Sequence, residues 1–321
     1  MTFHPDSLPD LRGKVFIVTG GNSGIGYSTV AHLAEHGAHV YMGVRSLEKG
    51  NAAIAGIKKT YPSAAKIDLL QMDLKDLTSI VAAAKRFLTL ESALHGVVNN
   101  AGIMATPFEM TKDGYEAQWQ VNYLSHWVFI HHLLPLMLQT SKTAPPGGVR
   151  VVNVSSSGHL SAPKGGIDFN DTSLQEEGGP FPRYGQSKLA QILHAKTLHQ
   201  QYGPLPDRPN QDQGEIWTAA IHPGLVETNL ADGVDASANM NGVLYVLRKL
   251  RMIWPADKGA GSNLFCVASA EMKPQQSGTY IDVFKRFGEP WWQSGLAKDM
   301  DLAQRLEEWT SARMKKEGWI E

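Results

Sequence analysis

A phenol and a primary amine stand four positions apart at Tyr184 and Lys188, in the run YGQSK, with only small or amide side chains between them. On a helix, residues i and i+4 share one face, so the two groups can meet. An ammonium beside a phenol favours phenolate and lowers the phenol's pKa from about 10. A tyrosine placed in this way exchanges a proton with a carbonyl or hydroxyl near neutral pH. A nearby serine hydroxyl can steady the substrate oxygen by a hydrogen bond, and the run VSSSGH offers Ser155, Ser156 and Ser157. Ser155 and Ser156 face opposite sides if the strand before them persists that far. The Tyr-x-x-x-Lys spacing also arises by chance on helix surfaces, so the rest of the chain has to decide.

Short β-branched runs alternate with helical ones. KVFIVTG, HVYMGVR, KIDLLQMDL, HGVVNNAG, VRVVNVSSS, EIWTAAIHPG and SGTYIDV read as strands. IGYSTVAHLAEHGA, LTSIVAAAKRFLTLES, the long run from Lys112 to Gln139, the run from Tyr184 to Gly203 and KGAGSNLFCVASAE read as helices. About seven strands alternating with about six helices specify an α/β fold, a doubly wound Rossmann-type parallel sheet flanked by helices. No linker or internal repeat divides the chain, which reads as a single domain over residues 1–321.

Ligands of such sheets bind at the carboxyl ends of the strands. After the first strand comes TGGNSGIG, with Gly20, Gly24 and Gly26 spaced G-x-x-x-G-x-G. This differs from both the G-x-G-x-x-G fingerprint and the P-loop. Glycines there let backbone approach a phosphate at a helix N-terminus; a tight strand–helix turn without a ligand is the bland alternative. Arg45 ends the second strand, where an arginine suits the 2′-phosphate of NADP and an acid would suit the 2′-hydroxyl of NAD. It also reads as an ordinary surface arginine. Asp73, after the third strand, is a candidate for the adenine amino group, or a helix N-cap.

Composition narrows the function. The formal net charge of −1 and pI near 6.9 argue against a nucleic-acid binder. The single cysteine, Cys266, cannot form an internal disulfide, which fits a reducing compartment. The twelve histidines show no metal-binding spacing, so no metal is expected. The N-terminal run has no apolar h-region, so no signal peptide is expected. The longest apolar run is too short and polar to span a bilayer. Together these point to the cytoplasm.

TGGNSGIG, NNAG (Asn99 to Gly102), Asn122 in QVNYLSH, NVSS (Asn153 to Ser156), YGQSK and HPGLVET (His222 to Thr228) follow one another in order. In this the chain resembles the short-chain dehydrogenase/reductase family, in its conventional single-domain form, from about Lys14 to Val283. The resemblance implies Ser156, Tyr184, Lys188 and Asn122 as catalytic residues. It implies that Lys188 also holds the nicotinamide ribose, and that Asn122 shapes the long helix and supports a proton relay. It implies cofactor contacts from Gly20, Asn22, Ser23, Gly24, Ile25, Gly26, Arg45, Asp73, Leu74, Asn99, Ala101, Gly102, Pro223, Val226 and Thr228, as well as Tyr184 and Lys188. Arg45 departs from the aspartate of NAD-preferring members, so NADP(H) is the expected cofactor. The layout is similar to retinol-dehydrogenase-like and WW-domain oxidoreductase-like proteins, and to fungal reductases of secondary metabolism.

The expected activity is interconversion of a carbonyl and an alcohol, with reduction favoured. An epimerase or dehydratase and a non-catalytic nucleotide sensor are the alternatives. Met104, His159 and Leu225 are expected to line a cleft for a bulky, mostly hydrophobic substrate. A substrate lid is expected over 229–257 and a C-terminal extension over 284–321. The run from Val243 to Met252 mixes apolar residues with Arg248, Lys249 and Arg251. It reads as a packed amphipathic helix, a membrane-surface helix or part of the lid. Trp291 and Trp292 read as one wall of the cleft or as tail packing. Assembly into a homo-oligomer stays open.

Overall fold

The computed structural model describes residues 3–176, 179–205, 214–226, 254–282 and 293–321. Its strands are β1 (Val15–Thr19), β2 (His39–Val44), β3 (Ile67–Gln71), β4 (Gly96–Asn99), β5 (Arg150–Val154), β6 (Trp217–His222) and β7 (Thr279–Asp282). They form one sheet in the order β3-β2-β1-β4-β5-β6-β7, every neighbouring pair parallel. The near-continuous apolar runs of β1 and β5 suit strands covered on both faces. Alternation then divides their side chains between two cores. Ile17, Val97, Val151 and Ala220 enter one; Phe16, Val18, Val98, Val152 and Ile221 enter the other.

The helices covering the sheet include α1 (Gly24–Glu35), α2 (Leu47–Thr60) and α3 (Leu77–Leu90). A short turn, α4 (Ala117–Trp119), leads through a π-helical stretch, Gln120–Leu124, into α5 (Ser125–Ser141). Then come α6 (Pro180–Tyr202) and α7 (Ala256–Ala268), followed by α8 (Gly295–Lys298) and α9 (Met300–Lys316). Among the described residues, α2, the four-residue α8 and α9 have no counterpart in the sequence reading. α2 buries only Gly50, Ala53 and Ile57, too thin a stripe to stand out, although Ser46 caps it. α9 sends Leu302, Ala303, Leu306 and Met314 into the first core, so this part of the tail belongs to the body. Its Thr310 hydroxyl meets the Tyr123 hydroxyl at 2.7 Å, and its Glu307 accepts from the Trp127 indole at 2.9 Å.

The strand order reverses between β1 and β4, which opens a crevice at their carboxyl ends. The helix carrying Tyr184 starts earlier than the sequence suggests, at Pro180, because proline suits a helix's first turn. Tyr184 and Lys188 therefore lie within a formed helix. Most of the expected lid, together with Thr228, the run Val243 to Met252, Trp291 and Trp292, lies outside the described residues. Val226 and Trp254, on either side of that gap, are paired, with the Trp254 amide donating to the Leu225 carbonyl at 2.7 Å. Among the described residues no helix is long and apolar enough to cross a membrane.

Candidate active site

The turn after β1 is built so that backbone can approach backbone. Gly20 and Gly24 have positive φ, 65° and 54°. A Cβ on Gly26 would lie within 3.0 Å of the Gly20 carbonyl oxygen and 2.5 Å from Asn100 Nδ2. The loop after β4 is tied to the same turn. Thr19 Oγ1 accepts from the amides of Asn100 and Ala101 at 2.9 and 3.0 Å, and Asn100 Nδ2 donates to the Thr19 carbonyl at 2.8 Å. Ser23 precedes α1 without bonding it through its side chain, so the first amides of that helix have no side-chain cap. Asn22 and Ser23 are partly to fully exposed, whereas Ile25 packs inward. This glycine cradle at a helix N-terminus fits a pyrophosphate.

Four predicted catalytic residues converge beside the cradle. Tyr184, Lys188 and Asn122 are buried, and Ser156 is half-buried. Ser156 Oγ accepts from the Gly158 amide at 3.0 Å and hydrogen-bonds the Tyr184 side chain. Ser155 points the other way, donating to the Lys188 carbonyl at 2.8 Å. The Ser157 amide donates to His222 Nδ1 at 3.4 Å. β5 ends at Val154, before both serines, so alternation does not extend to them, and Ser156 rests on the motif it matches. Lys188 Nζ lies 5.6 Å from the Tyr184 ring centre and donates to the Val154 carbonyl and Gln191 Oε1, both at 2.9 Å. Asn122 lies in the π-helical stretch. Its Oδ1 accepts from the Ile103 amide at 2.9 Å, and its Nδ2 donates to the Ile103 carbonyl at 3.0 Å and Ser187 Oγ at 2.9 Å.

The electrostatics differ from the simple expectation of a lysine-activated phenolate. Burial pushes the Tyr184 phenol up to about 12, and only its bond to Ser156 opposes that rise. Burial also lowers Lys188 to about 7. The amine loses charge to desolvation and turns its protons toward neutral oxygens, so it does not draw the phenol down. Tyr184 is protonated at neutral pH and ready to donate.

The other expected residues are distributed unevenly. Arg45 is exposed at the end of β2 and makes no ion pair among the described residues. Asp73 accepts from the Lys75 amide at 3.0 Å, and the cap of α3 is Asp76, three residues on. The Leu74 carbonyl accepts from Ser125 Oγ at 2.7 Å. The Asn99 side chain is buried against Asn153, donating to Oδ1 at 2.8 Å, so only its backbone faces the crevice loop. A Cβ on Gly102 would sit tightly, 3.0 Å from Asn122 Oδ1 and 3.3 Å from Lys188 Nζ, so either side chain would have to give by a few tenths of an ångström. Met104, Leu225 and Val226 are half-buried and Pro223 is buried.

His159 does not line an open cleft. It is 1% exposed and stands behind Ser156. Its Nδ1 donates to the Ser156 carbonyl at 2.8 Å, and its Nε2 accepts from the Ser294 amide at 3.2 Å. This tautomer fits a ring whose pKa burial has lowered. Two further side chains went unread. His126 donates from Nδ1 to the Asn122 carbonyl at 3.1 Å and accepts at Nε2 from Thr19 Oγ1 at 2.9 Å, joining the cradle to the π turn. Arg183 pairs with Glu116 at 3.3 Å and donates to the Thr106 carbonyl at 3.2 Å, holding the loop after NNAG against α6. Position was the available signal: His126 is four residues after Asn122, and Arg183 adjoins Tyr184. Among the described residues no cluster could hold a metal ion.

Comparison with known proteins places the chain among related sequences and folds. The short chain dehydrogenase family matches residues 14–167. A short-chain dehydrogenase/reductase of Aspergillus calidoustus, drtF, is 49% identical over 314 residues, 97% of each chain. Retinol dehydrogenase 12 of Mus musculus is 34% identical over 301 residues, 92% of this chain and 84% of that protein. Among solved structures, an uncharacterized protein from Mycobacterium paratuberculosis superposes with a TM-score of 0.72 at 28% identity, over 98% of both chains.

Proposed function

We propose a reaction for this chain from one premise: it belongs to the short-chain dehydrogenase/reductase family. The reaction is NADP(H)-dependent reduction of a bulky, mostly hydrophobic ketone or aldehyde to the alcohol. The observation that carries it is the assembly of Ser156, Tyr184, Lys188 and Asn122 beside a glycine cradle at the point where the strand order reverses. A bound nicotinamide cofactor supplies the hydride. Tyr184, protonated in its buried site, donates a proton to the carbonyl oxygen. Ser156 holds that oxygen by a hydrogen bond while negative charge develops on it. Lys188, beside Gly102, would hold the cofactor ribose, and Asn122 fixes the loop at Ile103.

The exposed Arg45 supports NADP(H), since its planar fork can take a 2′-phosphate bidentately. Glycines of the turn would hold the pyrophosphate, and Asn99, Ala101 and Gly102 would lie along the cofactor. Met104 and Leu225 support an apolar substrate wall, and the likeness to retinol dehydrogenase 12 suits a large lipophilic alcohol or carbonyl. Relatives among fungal short-chain dehydrogenase/reductases make a secondary-metabolite carbonyl a reasonable first choice.

The test is nicotinamide absorbance with purified protein, NADPH and a panel of carbonyls running from short polar acids to polyketide, terpenoid, steroid and retinoid types. Consumption of NADPH with the bulky apolar members, lost in Tyr184→Phe, is expected. Turnover of a substrate with no net change in the cofactor would move the chain to the epimerase class. Better rates with small polar carbonyls would overturn the view of the cleft.

A further inference from the structure

Lys188 is the one buried amine on which the proposed site depends, and its surroundings are unusual for a cation. It is 3% exposed. Among the described residues it meets the Val154 carbonyl, Gln191 Oε1 and the Tyr184 ring, and no carboxylate. Two of its three donors go to neutral oxygens, the Val154 carbonyl and Gln191 Oε1. The Val154 carbonyl comes with any sequence. The Gln191 amide is a choice of side chain, three residues along the same face of α6.

Gln191 is itself 1% exposed and held in place. Its backbone carbonyl accepts from Asn153 Nδ2 at 3.0 Å, and Asn153 Oδ1 accepts from Asn99 Nδ2 at 2.8 Å. This chain of amides runs from α6 across β5 to β4. The orientation of the Gln191 side chain is informative. Its oxygen faces the ammonium, while its buried Nε2 has no hydrogen-bond partner among the described residues. Turning the amide over would set an N–H₂ against an ammonium, so the charge-assisted contact decides the rotamer. With two donors spent on the inner side, the third is left for the side where Gly102 lacks a Cβ, 3.3 Å from Nζ.

We propose that Gln191 is a positioning residue: its amide oxygen offsets part of the charge that burial takes from the Lys188 amine and directs its third N–H past Gly102 into the cofactor crevice. The use made of that N–H rests on the oxidoreductase reading; the contact itself does not. The titratable groups facing Lys188 are Tyr184 on α6 and His126 on α5. Both are uncharged at neutral pH, the phenol being raised and the imidazole lowered by burial, so neither replaces the amide as a source of charge stabilisation.

The experiment is a pH titration of the full chain labelled with ¹³C-lysine. It follows the Cε resonance that disappears in Lys188→Met, alongside NADPH titrations by fluorescence. Gln191→Met keeps the length of the side chain and removes the acceptor. It should lower the Lys188 midpoint by about 1–2 pH units. NADPH affinity should then weaken as pH rises through the new midpoint and recover in acid. Gln191→Glu should raise the midpoint by a similar amount. A folded Gln191→Met protein with an unmoved midpoint overturns the proposal. Should that variant fail to fold, Gln191→Glu decides in the same way. A moved midpoint in a protein that binds no nicotinamide cofactor upholds the contact and sinks the oxidoreductase reading instead.

Discussion

Replacing Gly26 with alanine sets helix propensity against space. Gly26 lies in the first turn of α1 with an ordinary helical backbone, where alanine is intrinsically favoured by about 1 kcal/mol. Yet its Cβ would fall within 3.0 Å of the Gly20 carbonyl oxygen and 2.5 Å from Asn100 Nδ2. Neither neighbour can yield easily. The first is backbone, and the second is held 2.8 Å from the Thr19 carbonyl. Relief requires the turn and the β4 loop to part by roughly 1 Å, and overpacking of that kind costs about 1–3 kcal/mol. The strain falls on the proposed cofactor cradle, so NADPH affinity should drop by about 5- to 150-fold. Fluorescence titration of NADPH, paired with thermal denaturation, measures both effects. Gly13→Ala is the control. Unlike Gly26, Gly13 has a positive φ, 76°, and a Cβ there would meet nothing within 4 Å. It should lose a little stability through backbone strain and no affinity. If Gly26→Ala binds NADPH as tightly as the unaltered protein, the steric account of the cradle is refuted.

Tyr184→Phe should keep NADPH affinity and lower turnover by about 10²- to 10⁴-fold, read from steady-state rates on a good carbonyl substrate. Arg45→Asp should narrow or reverse a preference for NADPH over NADH in side-by-side binding titrations; equal affinities in the unaltered protein would count against the role given to Arg45. Lys188→Met should change how stability depends on pH. The folded amine titrates near 7 rather than at its ordinary 10.5, so between those values the unfolded chain holds more protons. The penalty from burying Lys188 is therefore full below about 7 and fades as pH rises toward 10.5. Relative to the unaltered protein, the variant should lose about 2–3 kcal/mol of advantage between pH 6 and pH 9, measured by denaturant titration. A difference independent of pH would show that the amine is not desolvated as described.

The sequence by itself determined the sheet and the catalytic spacing. Both depend on local periods: two for the strands, and 3.6 for the helix that brings Tyr184 and Lys188 together. Ser156 was legible through the motif it matches, whereas strand alternation stops at Val154, before both serines. Helices with a weak apolar stripe escaped. α2 buries little more than Gly50, Ala53 and Ile57, and α9 shows its place only through Tyr123, Trp127 and the core it joins. Contacts between distant segments had no sequence period to reveal them. His159 reads as a cleft residue until the Ser294 amide, 135 positions away, is seen to occupy its Nε2. Lys188 reads as an activator of the phenol until its burial lowers its own charge and the Val154 and Gln191 oxygens accept two of its hydrogen bonds. Desolvation and hydrogen-bond direction are properties of a packed interior. Residue types announce which groups are available; only tertiary structure sets which of them are dry, which are paired and which way their protons point.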